Sequence, residues 1–168
     1  KREIRALTLS ALAPRRGELL WDIGAGSGSV AVEWMLADPS LRAVAVEANP
    51  GRAARIRRNA DALGVPWLKV AEGQAPAALE NLDRPHAIFV GGGASDPGVL
   101  DAAIAALPAG GRLVVNAVTL ETEAVLIARH ADTGGVLTRL CVERSGPVGA
   151  MTAWRPALPV VQWSWVKP

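Results

Sequence analysis

At 168 residues the chain has the length of one domain with a sizeable core, taken here as residues 1–168, and half of its residues are hydrophobic, which excludes disorder. The formal net charge is only +2. No apolar run approaches the roughly 18 residues of a membrane span, and Lys1, Arg2 and Glu3 do not open a signal-peptide core, so a soluble, cytoplasmic protein is expected.

Taken in order, the segments alternate between helical and strand patterns. A helix is predicted over Arg2 to Leu12, with Ile4, Leu7, Leu9 and Leu12 as its apolar positions and Pro14 as its stop. A strand over Leu19 to Ile23 leads through a glycine run into a helix from Ser29 to Ala37, ended by Asp38 and Pro39. A second strand covers Arg42 to Glu47. The helix Pro50 to Leu63 has proline in its first turn and Gly64 just past its end, the usual punctuation. Strand three is placed at Trp67 to Ala71, a short helix at Pro76 to Leu79, and strand four at His86 to Val90, an apolar run suited to a central parallel strand. A helix over Pro97 to Leu107, strand five over Arg112 to Asn116 and a helix over Leu120 to Ala131 follow. Val136 to Glu143 and Met151 to Trp165 read as two long strands around a Gly146–Gly149 loop, an antiparallel pair at the sheet edge. The pattern specifies an α/β doubly wound, Rossmann-like sheet, mostly parallel with an antiparallel C-terminal edge.

Gly24, Ala25, Gly26, Ser27 and Gly28 form a GxGxG run at a strand-to-helix turn, where backbone N–H groups and the helix dipole receive a nucleotide-like or carboxylate-bearing ligand. Glu47, followed by Ala48, ends the next strand, where a carboxylate accepts both hydroxyls of a ribose. A dinucleotide fingerprint would need glycine at position 29, which is Ser29, and Asp22 would repel a pyrophosphate. Asp22 suits an ammonium group instead, so S-adenosylmethionine is the expected cofactor. Gly73, Gln74 and Ala75 after strand three and Gly91, Gly92 and Gly93 after strand four converge on the same carboxyl edge of the sheet. The Gln74 carboxamide can accept from the adenine amine and donate to a ring nitrogen, or cap a surface helix.

Cys141 is the only cysteine, which rules out an intramolecular disulfide, and Leu140 and Val142 beside it suggest burial. His86 and His130 lie far apart, and no metal site is expected. Fifteen of the eighteen basic residues are arginine; Arg52, Arg55, Arg57 and Arg58 are read as a solvated helix face. Trp21, Trp34 and Trp67 fall at core positions, whereas Trp154, Trp163 and Trp165 fit an edge strand or a subunit interface.

Asp22, the GxGxG run and Glu47 resemble the first motifs of class I methyltransferases. The opening Lys1 to Ser10, the triple glycine, the run Asn116 to Glu121, and Arg144 to Gly149 with Met151 are similar to one family over nearly the whole chain: the decarboxylating precorrin methyltransferases of cobalamin biosynthesis, the CbiT type and the C-terminal half of the fused CobL protein. The resemblance implies methylation at carbon 15 of a precorrin, decarboxylation of the ring C acetate and a homo-oligomer, typically a tetramer. It also implies that the chain can be one half of a fused protein whose preceding domain methylates carbon 5. A polycarboxylate substrate would be held by arginines, with Arg5, Arg144 and Arg155 as candidates and Asn116, Thr119, Gly92 and Gly93 beside them; Thr119 also fits a helix cap. No catalytic acid or base is assigned. The alternatives are an RNA methyltransferase acting on a ring nitrogen or ribose and a non-catalytic cofactor-binding module; a base-amine methyltransferase is disfavoured because Gly91–Ala94 replaces a Pro-Pro-aromatic motif.

Overall fold

In the computed structural model, which describes Lys1–Pro168, the order is α1 (Arg2–Leu12), β1 (Leu19–Ile23), α2 (Ser29–Ala37), β2 (Arg42–Glu47), α3 (Pro50–Ala62), β3 (Lys69–Glu72), β4 (Ala87–Val90), α4 (Val99–Ala106), β5 (Arg112–Ala117), α5 (Leu120–Thr133), β6 (Val136–Leu140), β7 (Glu143–Val148), β8 (Met151–Pro156) and β9 (Val160–Val166). A 3-10 turn at Ala77–Leu79 takes the place of the short predicted helix. Seven strands form one sheet in the order β3-β2-β1-β4-β5-β9-β6, and a separate two-stranded sheet pairs β7 with β8. Strands β1 to β5 run parallel; β9 is antiparallel to both β5 and β6.

The central strands β1 and β4 are buried along their whole length, as a parallel sheet covered on both faces requires. One face packs Trp21, Ile23, Ile88, Val90 and Leu113 against α4 and Leu126 of α5. The other packs Leu20, Ala45, Phe89 and Val114 against Leu12, Trp34 and Ile56 of α1, α2 and α3. Strand order reverses between β1, which leads to β2, and β4, so the crevice opens beyond the carboxyl ends of these strands.

The C-terminal third departs from the expected antiparallel pair. The two expected long strands are four: β9 inserts between β5 and β6, and β7 and β8 leave the sheet as a hairpin. Gly146, Pro147 and Val148 lie within β7, and the turn falls at Gly149 and Ala150. Trp163, placed at an edge by the sequence, is fully buried, stacks on Trp165 at 6.2 Å and donates from Nε1 to the Gly134 carbonyl at 3.0 Å. β3 begins at Lys69, which leaves Trp67 in the preceding turn and 57% exposed rather than in the core. Cys141 falls between β6 and β7 and is exposed, not buried. On α1 the inward positions are Ile4, Thr8 and Leu12; Leu7 faces outward. No helix is long and apolar enough to cross a membrane.

Candidate active site

A cavity of about 510 Å³ opens at the strand-order reversal, and its floor is the carboxyl ends of β1, β2, β3 and β4. Gly24 and Gly26 line one side; Glu47, Ala48 and Arg52 line a second; Gly73, Gln74 and Ala75 form a third; Gly92, Gly93, Asp96 and Val99 close it from the β4–α4 loop and the start of α4. The close approach of two loops explains Gly24. A Cβ on Gly24, whose φ is +67°, would stand 2.6 Å from the Gly92 carbonyl oxygen and 2.8 Å from the Gly92 nitrogen.

Glu47 is the electrostatic centre of the cavity. Its side chain is 3% exposed. Oε2 accepts from the Gly26 amide at 2.9 Å, while Oε1 accepts from the Asn49 amide at 2.9 Å and from Arg52 Nη2 at 2.8 Å. Burial is the strongest single influence and would raise its pKa, but the Arg52, Asn49 and Gly26 hydrogen bonds together with the Arg52 charge outweigh it and hold the carboxyl below the usual range. The carboxylate therefore sets the shape of the glycine loop and of the β2–α3 turn at once. Arg52, expected on a solvated face, is drawn into the cavity because Asn49 caps α3 and places residue 52 in the first turn, facing Glu47.

The Gly24 and Ala25 amides donate to the Val46 carbonyl and the Gly28 amide to Ala25. These loop donors are used internally, which leaves the Ser27, Ser29 and Val30 amides at the N-terminus of α2 without an acceptor in the chain. Asp22 lies beneath the loop, outside the cavity lining: Oδ2 accepts from the Ala31 amide at 3.1 Å and the buried Oδ1 has no partner. Burial, chiefly, pushes its pKa up to about 7; the Ala31 amide opposes this and the Glu47 charge adds to it. Because the folded value exceeds the unfolded one, the protonated form stabilises the fold at low pH, and that contribution fades as the pH rises from about 4 through about 7. The stability advantage of the wild type over Asp22→Asn is expected to shrink by a few kcal/mol across that window. Urea unfolding at several pH values reads this directly, and a constant difference would contradict it.

Of the expected cofactor residues, the structure brings Gly24, Gly26, Glu47, Ala48, Gly73, Gln74 and Ala75 to the cavity, together with Gly92 and Gly93. Ala25, Ser27, Gly28 and Gly91 are not part of its lining, and Gly91 is fixed by its amide donating to the Ile23 carbonyl. The expected substrate arginines are elsewhere. Arg5 pairs with Glu33 on α2 at 2.6 Å, Arg144 with Glu3 on α1, and Arg155 donates to the Pro147 carbonyl within the hairpin. Thr119 caps α5 by accepting from the Thr122 amide, as one of its two readings required. Asn116 donates to Thr8 Oγ1 and accepts from Gln162 Nε2 at 2.9 Å, a polar knot under α1. Arg52, Asp96, Ile23, Val46 and Val99 line the cavity without having been expected. No three His, Cys, Asp or Glu side chains cluster closely enough to hold a metal ion.

A protein-family model described as "Precorrin methyltransferase domain" matches residues 1–167. A Sinorhizobium sp. protein named "Precorrin-6Y C(5,15)-methyltransferase [decarboxylating]" is 64% identical over 99% of this chain and 40% of its own length. The chain thus spans about two-fifths of that relative. A Salmonella typhimurium protein named "Cobalt-precorrin-6B C(15)-methyltransferase (decarboxylating)" is 32% identical over 95% of this chain and 84% of its own. Among solved structures, a putative precorrin-6Y C5,15-methyltransferase targeted domain from Corynebacterium diphtheriae superimposes with a TM-score of 0.93 at 44% identity, covering 99% of this chain and 97% of that one.

Proposed function

The chain belongs to the precorrin methyltransferase domain family, and from that premise we propose that it uses S-adenosylmethionine to methylate a precorrin at macrocycle carbon 15, with decarboxylation of the ring C acetate. The observation that carries the cofactor is one cavity holding both a glycine cradle and a buried, ionised Glu47. The names of the two relatives support the position: the one that shares 84% of its length with this chain is named for carbon 15 alone, and the one sharing 40% is named for carbons 5 and 15. In this reading the carbon-5 step falls to sequence outside the shared part.

In this reading the cofactor supplies an electrophilic methyl carbon, and the chain supplies position and a water-poor site. Glu47 accepts from the ribose hydroxyls, and the Ser27, Ser29 and Val30 amides suit the carboxylate of the methionyl end. Asp22, with one unpartnered oxygen below the loop, favours a cation above it. Overall, the ring carbon exchanges a proton for methyl, and the acetate loses carbon dioxide and takes up a proton, so the protons balance. The test is mass spectrometry of a precorrin incubated with this chain and S-adenosylmethionine. A product heavier by one methyl and lighter by one carboxyl supports the proposal, and unchanged tetrapyrrole contradicts it.

We assign a homo-oligomer, a tetramer, to the β7–β8 hairpin. An isolated two-stranded hairpin is marginal in water, yet this one exposes Met151 at 79% and Trp154 at 70%, with Val148 beside them. Burial against further copies would remove that apolar surface from water. Met151→Asp with Trp154→Asp is expected to yield monomers in sedimentation velocity; a wild type that is itself monomeric would contradict the assignment.

A further inference from the structure

Two side chains in the cavity have no partner within the chain. Glu47 accepts from the Gly26 and Asn49 amides and holds Arg52, but the Asp96 carboxylate and the Gln74 carboxamide, which also line the cavity, make no hydrogen bond or ion pair within the chain. They sit on loops that abut, since a Cβ on Gly98 would stand 3.6 Å from Pro76 Cγ. Asp96 Oδ2 lies over Gly93, 3.3 Å from where a Cβ there would be. It caps no helix: α4 has Gly98 at its N-cap and no side-chain cap. Ala48 and Val99 line the same cavity, so its wall offers one full acceptor in Asp96 and one donor in Gln74 beside apolar surface.

A 6-aminopurine shows the complementary edge, an amine that donates and an adjacent ring nitrogen that accepts. A 6-oxopurine shows the reverse. Resting on the assignment of the cavity to S-adenosylmethionine, we propose that Asp96 and Gln74 jointly select the donor's purine: Asp96 accepts the exocyclic amine and the Gln74 amide donates to the ring nitrogen. The acid that meets the amine thus comes from the loop after β4, and the residue after β3 supplies the donor. A 6-oxo oxygen at that position would face a carboxylate, two acceptors with no proton between them.

Calorimetric titration of S-adenosylhomocysteine and S-inosylhomocysteine tests this, in the wild type and in Asp96→Asn. The exposed side chain makes the variant tolerable to the fold, and equal thermal midpoints confirm it. The wild type is expected to favour the adenosyl compound by at least about tenfold, and the variant to lose at least about tenfold of that preference, because its amide can donate to the oxo group. Equal wild-type affinities, or a preference that survives Asp96→Asn, would overturn the proposal while leaving the cofactor cavity intact. A wild type that binds neither compound would overturn the cavity assignment and this selection with it.

Discussion

Gly24→Val is expected to abolish S-adenosylhomocysteine binding and to lower stability by about 2–5 kcal/mol. The residue sits at φ +67°, where a β-branched side chain is strained, and its added Cβ would lie within 3 Å of three Gly92 backbone atoms. Neither loop can yield without losing a hydrogen bond, since the Gly24 amide is tied to Val46 and the Gly91 amide to Ile23. Gly26→Ala is the internal control. At φ +62° it shares the strain, but its Cβ would meet nothing nearer than 4.0 Å, so only about 1 kcal/mol is expected to be lost. Chemical denaturation of both variants beside calorimetry distinguishes them; equal losses would show that loop contact is not what requires Gly24.

Arg112→Met is expected to destabilise by about 3–5 kcal/mol, because it leaves Glu18 charged and unpaired in a nearly closed site. Arg112 Nη1 donates to Glu18 Oε1 at 2.8 Å and Nε donates to the Leu12 carbonyl at 2.9 Å, so one guanidinium joins the end of α1 to the starts of β1 and β5. Burial tends to raise the Glu18 pKa, yet the hydrogen bond and charge of Arg112 and the Arg15 amide prevail and lower it. A lowered carboxyl stabilises above its unfolded pKa, and that contribution is lost as the pH falls through the folded value. The double variant Glu18→Leu with Arg112→Met removes both charges and is expected to recover most of the loss. A double variant as unstable as the single one would show that the carbonyl contacts, not the pair, carry the effect.

Much of the fold was legible because its signals are local. Pro14, Pro50 and Gly64 mark helix ends through φ and missing donors, and the buried run of β4 marks a central strand. The C-terminal order was not, since strand propensity from Val136 to Val166 says nothing about partners, and β9 pairs back across 46 residues to place Gln162 opposite Asn116. Trp67 misled for a similar reason: its apolar neighbours suit a strand, but the chain turns until Lys69. In the site, Glu47 and the glycines were legible as residue types at a strand-to-helix turn. Arg52 was hidden in a run of arginines, and only its position three residues after the helix cap Asn49 could have pointed inward. Asp96 carries no such local signal; it reaches the cavity because α4 packs beside the loop that follows β3.

The most direct measurement is calorimetric titration of S-adenosylhomocysteine into the wild type and Glu47→Ala. One molecule is expected to bind per chain, weakened in the variant by about 1.5–3 kcal/mol, the scale of hydrogen bonds to a charged group. Absence of binding by the wild type, or an affinity that Glu47→Ala leaves unchanged, would contradict it.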